Sequence, residues 1–423
     1  MEKLLQIFRV REIRNKILYV LAILVIFRVA ANIPIPGIDP LRLKSFFESN
    51  QFLGLLNLFS GGALSHLSLI MLGLSPYITA VIVMQLLTMI FPKLEQLYKE
   101  EGERGRQKFN QYGRLLTVPF AILQGYGMLI LFRNQGVVNI SSFFDTVLVL
   151  ATITAGTVFL MWLGELISEK GIGNGVSLLI FAGIVAGFPT HLRQTLATYD
   201  VSQIPSYIGF LVIALLVIVG VIIITEGRRN IPVSYAKRVR GNKVYGGVST
   251  YLPLNVNPAG VIPIIFAISF LMFPSMIGGF LQHTSTPWLA SAAGFLVGLF
   301  NEQGITYIAV YFVLVVLFTY LYTAVTFDPK NVSENLQRMG GFVPGIRPGK
   351  PTSDFLFFIL NRVLLIGALF LGLVAVIPTI VQNLTGITSF AVGGTSVLIV
   401  VSVVLETMRQ LESQLTMRDY DGF

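Results

Sequence analysis

Long apolar runs separated by short polar stretches occupy most of the chain. Ten read as membrane spans: Ile17–Ile33, Leu67–Phe91, Leu115–Phe132, Val147–Leu163, Val176–Phe188, Ile208–Thr225, Ala259–Leu281, Ile305–Phe327, Phe355–Val381 and Val392–Leu405. Crossing a bilayer takes roughly 20 apolar residues. The backbone must satisfy its own hydrogen bonds in lipid, so each run is expected to be a helix. An eleventh run, Trp288–Phe300, is short and broken by glycine. It is expected to lie in an interface or against the outside of the bundle. Two polar stretches are longer than a turn requires. Glu226–Asn257 alternates Val and Tyr with turn residues, which predicts a hairpin. Asp328–Asp354 carries the Gly/Pro-rich turn GGFVPGIRPGKP.

Composition agrees with this pattern. Hydrophobic residues make up 54% of the 423 positions and charged residues 12%, where a soluble protein carries about 25% charged residues. So few charges cannot cover a water-facing surface, and the fold class is an all-α polytopic membrane protein. The chain has no cysteine, which excludes disulfides and thiolate metal sites. His66, His191 and His283 lie far apart and form no HExxH pair, and no GxxxxGK[ST] loop is present to cradle a nucleotide. No cofactor or metal is expected, and the chain does not read as an enzyme. An intramembrane protease would have to use Ser65 or Ser75 with His66. Sequence neighbours such as Ser65 and His66 point apart on a helix, so that arrangement is poor. The basic amino terminus resembles a signal peptide, with Val29-Ala30-Ala31 as a possible cleavage site. Arg28 interrupts the region that should be apolar, so an uncleaved first span is expected.

Charge sets the orientation. With the amino terminus in the cytoplasm, the inner segments hold five Lys/Arg in 1–16, six in 93–114, Lys170, six in 228–243, four in 330–350, and Arg409 and Arg418. The outer segments hold Arg42, Lys44, Arg133 and Arg193. This asymmetry obeys the positive-inside rule. Both termini are therefore expected to be cytoplasmic, in a multi-pass membrane protein. Arg28 and Arg362 fall inside spans, near the outer and inner ends respectively, and are expected to snorkel.

Ten spans divide into two sets of five, residues 1–190 and 191–423. An odd set leaves on the side opposite its start, so the second is expected to be inverted. Such repeats place the working site at their interface, marked by short or Gly/Pro-broken spans at matching positions. The second span (Gly61-Gly62, Gly73, Pro76) matches the seventh (Pro258, Gly260, Pro263, Pro274). The fifth, entered through GIGNG at 171–175, matches the tenth, entered through Gly393-Gly394. Helix packing alone also uses Gly and Pro, but two matched pairs favour a central site. None of the four spans holds a charged residue. An ion-coupled secondary transporter, the alternative reading, would place acidic groups there. An aliphatic centre instead suits a hydrophobic constriction that seals by dewetting and opens around something large.

The stretches FSGGALSHLSLIMLGLSPYITA, ISEKGIGNGVSLLIFAGIVAG, YAKRVRGNKVYGGVSTYLPLNVNPAGVIPIIFA, GGFVPGIRPGKPT and FAVGGTSVLIVV closely resemble the SecY family, the channel subunits of bacterial protein translocases. The resemblance runs the full length. It implies two five-helix halves forming a clamshell around an hourglass pore that passes unfolded polypeptides. The pore ring it implies is Leu74, Ile78, Ile180, Ile184, Ile265 and Ile399. A plug, a short helix at about 55–67, would include Phe59, Ser60, Gly61, Gly62, Ala63, Leu64 and Ser65. A lateral gate between the second and third spans and the seventh and eighth would open to lipid, with Gln85, Thr88 and Ser275 as candidate residues. Arg347 would dock a motor or ribosome, assisted by Arg240, Lys237, Arg238, Lys243 and Lys350. Implied partners are the SecE and SecG subunits, the SecA ATPase, translating ribosomes, signal peptides and unfolded preproteins, and membrane lipid, with SecDF and YidC as further candidates.

Overall fold

The computed structural model describes residues 10–35, 60, 62–64, 67–99, 101–134, 136–138, 142–197, 204–235, 238–240, 243–245, 249–281, 287–299, 304–385 and 389–421. Each of the ten expected spans overlaps one helix, six of them lying wholly within it: α1 (Arg11–Ala31), α2 (Ser75–Ile90), α4 (Gly102–Asn134), α5 (Phe143–Lys170), α6 (Gly175–Ala197), α7 (Ile204–Glu226), α8 (Ile262–Leu281), α10 (Ile305–Thr326), α12 (Lys350–Thr385) and α13 (Ser389–Asp421). Among the described residues, five helical stretches, through α4, α5, α7, α10 and α12, are by themselves long and apolar enough to cross a membrane. A sixth is formed if α2 is joined to the short α3 (Pro92–Lys99) across a 109° bend. Pro92 supplies no N–H to continue α2, so the chain turns there. The eleventh apolar run is helix α9 (Pro287–Leu299), packed on α8.

The second span departs from the expected helix over 67–91. Described residues between 60 and 74 form turns, and helix begins only at Ser75, with Pro76 in its first turn. Gly62 (φ 83°), Leu67 (φ 40°) and Gly73 (φ 58°) occupy the left-handed region, which interrupts any right-handed helix. Leucine reaches that region at a cost, and its neighbours are pinned: Ile35 N donates to Leu67 O (2.9 Å) and Leu69 N to Ile33 O (3.0 Å). From the other side, α5 presses on this turn at Gly156. A β-carbon there would lie 2.0 Å from the Leu69 carbonyl oxygen. Gly156→Ala is therefore expected to lower the unfolding midpoint of the purified protein in detergent, with a cost at or above the ~1–3 kcal/mol typical of overpacking. An unchanged midpoint would mean that the turn can move aside freely.

Helix packing falls into two sets with the same internal plan. In the first, α1 packs on α5 and α6, α2 on α4 and α5, α4 on α5, and α5 on α6. In the second, α7 packs on α12 and α13, α8 on α10 and α12, α10 on α12, and α12 on α13. Replacing α1, α2, α4, α5 and α6 by α7, α8, α10, α12 and α13 turns the first list into the second. The principal contacts between the sets join α2 to α8, α6 to α13, and α4 to α8. The first two are contacts of a helix with its own counterpart in the other set. The four helices concerned are those that the sequence marks as irregular.

The two long polar loops form one small body. β1 (Arg228–Tyr235) pairs antiparallel with β4 (Ser249–Asn255), from Arg228↔Asn255 to Ser234↔Ser249, giving the expected hairpin. Between them, β2 (Arg238–Arg240) pairs with β3 (Lys243–Tyr245). On the other edge of β1 sits β5 (Gly341–Phe342), from the second loop, in register Ser234↔Phe342 and Tyr235↔Gly341. Ile231, Leu254, Val343 and Leu356 form its apolar core, with Ile346 and Val332 against them. Val332 lies on helix α11 (Pro329–Arg338), which Asp328 caps through the N–H groups of Lys330 and Asn331. At the hairpin root, Arg409 of α13 pairs with Glu226 (Nε to Oε1, 2.8 Å) and bonds the Thr225 carbonyl.

Candidate functional site

The four irregular helices converge on one apolar cluster. Leu74 caps α2 and Ile78 lies one turn along it; Ile180 and Ile184 are one turn apart on α6; Ile265 is in the first turn of α8, and Ile399 lies in α13. All six belong to the same buried cluster, and none is more than 7% exposed. Residues not picked from the sequence fill the gaps between them, among them Ile70, Val261, Ile264, Ile268 and Leu398. No side-chain polarity distinguishes these from the expected six, and only their common depth in the packing groups them.

Local chemistry sets where these helices start. Asn174 Oδ1 accepts from Ser177 N (3.2 Å), an N-cap bond that opens α6 directly after the glycine turn. Gly175 lies so close to α5 that a β-carbon would fall 1.8 Å from the Gly164 carbonyl oxygen. Asn257 Nδ2 donates to Gly260 O (3.0 Å), and Gly260 has φ 62°, which folds the chain into α8. Because α2 and α8 both begin near their candidate ring residues, Leu74, Ile78 and Ile265 sit at helix starts, while Ile180, Ile184 and Ile399 lie further along α6 and α13.

The candidate plug meets this cluster from one end. Ala63 (0% exposed) belongs to it, while Leu64 (1%) packs in the adjoining cluster with Leu67, Met71 and Phe132. Leu64 N donates to Ser60 Oγ (3.0 Å), closing a turn through Gly62. The short helix implied for this segment is not what its described residues form; the left-handed Gly62 and Leu67 make them turns. Phe59, Gly61, Ser65 and His66 lie outside the described residues. Arg28 is half-buried, its Nη1 3.8 Å from where a β-carbon on Gly62 would stand, so its guanidinium lies beside the candidate plug turn. Arg362 lies with its guanidinium 4.2 Å from the ring centroid of Phe358, a cation–π arrangement that steadies an arginine within α12.

At the contact of α2 and α4 with α8, the polar groups differ from those expected. Thr88 donates to the Gln85 carbonyl within its own helix (2.6 Å) and bonds no neighbouring helix. Gln85 Oε1 is buried without a hydrogen-bond partner. Ser275 falls in α8, but its side chain is outside the description. Two groups absent from the sequence reading join α4 to α2: Gln124 Nε2 donates to Thr79 Oγ1 (3.3 Å). Ser269 of α8 is buried as well. A lone glutamine in a span signals a polar partner, and that signal was available in the sequence.

On the loop body, Arg347 and Lys350 are exposed. Arg238, Arg240 and Lys243 are placed by the β2–β3 register, Arg240 opposite Lys243; Lys237 lies outside the described residues. The sheet joins the two basic loops, which the sequence presents separately. Among the described residues no group of His, Asp or Glu is arranged to hold a metal ion.

The SecY family model matches residues 68–408, most of the chain. The chain belongs to the SecY family. It is 42% identical over 432 residues to the protein translocase subunit SecY of Streptomyces scabiei, covering 98% of both chains. Among solved structures, it superposes with a TM-score of 0.65 on a SecY whose plug domain is described as stabilising the closed state of the translocation channel and maintaining a membrane seal (22% identity, 93% of this chain and 91% of that one). It also superposes on Sec61 in the canine ribosome-channel complex of the endoplasmic reticulum (TM-score 0.61, 20% identity, 93% and 91% covered). At those identities the likeness is one of fold. As a SecY-family chain it is a multi-pass protein-conducting channel and not an enzyme.

Proposed function

We propose that this SecY-family chain passes unfolded secretory polypeptides across the plasma membrane through an aliphatic ring of Leu74, Ile78, Ile180, Ile184, Ile265 and Ile399, and releases membrane segments sideways between α2/α4 and α8/α10. The observation that carries the reading is convergence. Six aliphatic side chains from two helices of each packing set belong to one large buried cluster, which also takes in residues of α1, α5, α7, α10 and α12 and Ala63 of the segment leading into α2. Two five-helix halves, 1–190 and 191–423, inverted and closed around this cluster, account for helices that meet their own counterparts. A ring with no charged side chain excludes ions when empty by dewetting and yields around a chain of any sequence. The plug, from about residue 55 to 67, seals the outer side.

Lateral release is assigned to the α2–α8 contact because it joins the two sets through short, interrupted helices. Motor or ribosome docking is assigned to the exposed Arg347 and its basic neighbours, since a guanidinium fork grips carboxylate or phosphate bidentately. SecE and SecG would brace the channel, the SecA ATPase or a translating ribosome would drive it, and SecDF and YidC would assist. Both termini would lie in the cytoplasm. Inverted-repeat solute transport fits less well, because the central cluster offers no ligand for an ion.

Ile399→Asn tests the ring. It puts a carboxamide into the apolar constriction, which should hydrate it. Secretion of a reporter with a defective signal sequence is expected to rise at least several-fold, as is ion leak in planar bilayers. Unchanged stringency and unchanged leak would remove Ile399 from the ring.

A further inference from the structure

Arg347 is held by two proline-glycine turns and two buried hydroxyls. The first turn is Val343-Pro344-Gly345-Ile346, closed by Ile346 N donating to Val343 O (3.0 Å), with Gly345 at φ 82°. Proline second and left-handed glycine third are the signature of a type II turn. Immediately after Arg347 comes Pro348-Gly349, with Gly349 at φ 94°. The Arg347 carbonyl accepts from Thr352 Oγ1 (2.8 Å), and the Gly349 carbonyl accepts from Ser333 Oγ (2.7 Å) and from Thr352 N (3.0 Å). Thr352 and Ser333 are each 2% exposed, while Arg347 itself is exposed. Thr352 lies in the first turn of α12 and Ser333 on α11, so the turn is tied to two helices. Its upstream end is tied to the sheet, through β5 on β1 and through Val343 in the loop core. An exposed arginine ordinarily samples many orientations, and ordering it on binding costs affinity. Here the backbone on both sides is fixed before any partner arrives.

We propose that Thr352 and Ser333 are positioning residues for docking: their hydroxyls hold the Arg347 backbone so that its side chain is presented from a fixed point to a carboxylate surface of the driving motor. The proposal rests on the docking reading of Arg347. It predicts an affinity defect rather than a loss of channel capacity.

The test uses the whole translocase in membrane vesicles and measures export rate against SecA concentration. Thr352→Val keeps the side-chain shape and removes the donor. The half-saturating SecA concentration is expected to rise roughly two- to tenfold, the range of one net hydrogen bond, with the maximal rate unchanged and the unfolding midpoint lowered only by the loss of that one buried bond. Thr352→Ser restores the donor and should return the value to normal. Ser333→Ala should shift it in the same direction. Arg347→Glu is the control for the underlying reading. If Arg347→Glu stops export while Thr352→Val leaves half-saturation unchanged, docking through Arg347 stands and the positioning role is overturned. If Thr352→Val lowers maximal rate and midpoint together and serine does not restore them, the hydroxyl is only structural and the role is again overturned. If Arg347→Glu exports normally, both readings fall.

Discussion

Arg347→Glu abolishes motor-driven export while leaving the folded protein intact. Arg347 is exposed, at the tip of a turn whose hydrogen bonds use its carbonyl and not its guanidinium. Replacing an exposed side chain away from packing changes stability by about 0.5 kcal/mol or less, so the unfolding midpoint should hardly move. Docking is another matter. The substitution removes a cation and adds a like charge facing the partner's acidic groups. Losing one member of a close interfacial charge pair costs about 2–5 kcal/mol, and each ~1.4 kcal/mol is tenfold in affinity. Export at a fixed, sub-saturating motor concentration should therefore fall by roughly 30-fold or more. Ion leak through the resting channel should stay as it was. Normal export by the glutamate variant would move docking to another basic residue.

A cross-link between α2 and α8 stops translocation and reductant restores it. The native chain has no cysteine, so two introduced thiols have no competitors. Gln85 lies more than a turn beyond Ile78 and Ser275 more than two turns beyond Ile265, on helices expected to run in opposite directions. Thr79 and Ser269 remain nearer the ring, and both are 7% exposed. Cysteines at these two positions should form a disulfide if their Cα atoms approach within about 7 Å. If segments leave sideways between these helices, the oxidised protein is expected to lose lateral insertion altogether, and export with it, because ring and gate share the same helices. A confirmed disulfide with full insertion and export would mean that α2 and α8 need not part.

The ten apolar runs, the hairpin of the first polar loop and the special status of four interrupted spans were all legible from residue order. Each is a local property. Apolar runs register the transfer free energy of consecutive side chains, and a missing N–H or a left-handed glycine acts on its own turn. Where the reading failed, the cause lay at a distance. Helix was expected from Leu67, yet the chain there is bound to Ile33 and Ile35 and crowded by α5 at Gly156, which together hold it in turns until Ser75.

The sequence by itself determined that the protein is a polytopic membrane protein and that its four irregular apolar runs carry no charge, because hydropathy and charge add up along the chain. Tertiary structure alone decided that α2 meets α8 and α6 meets α13, that six aliphatic side chains among many share one buried cluster, and that two separate loops fuse into one sheet around Arg347. In lipid every apolar face is equally soluble, so no hydrophobic pattern says which helix neighbours which; that choice is made by close packing at glycines such as Gly156 and Gly175 and by a few buried hydrogen bonds.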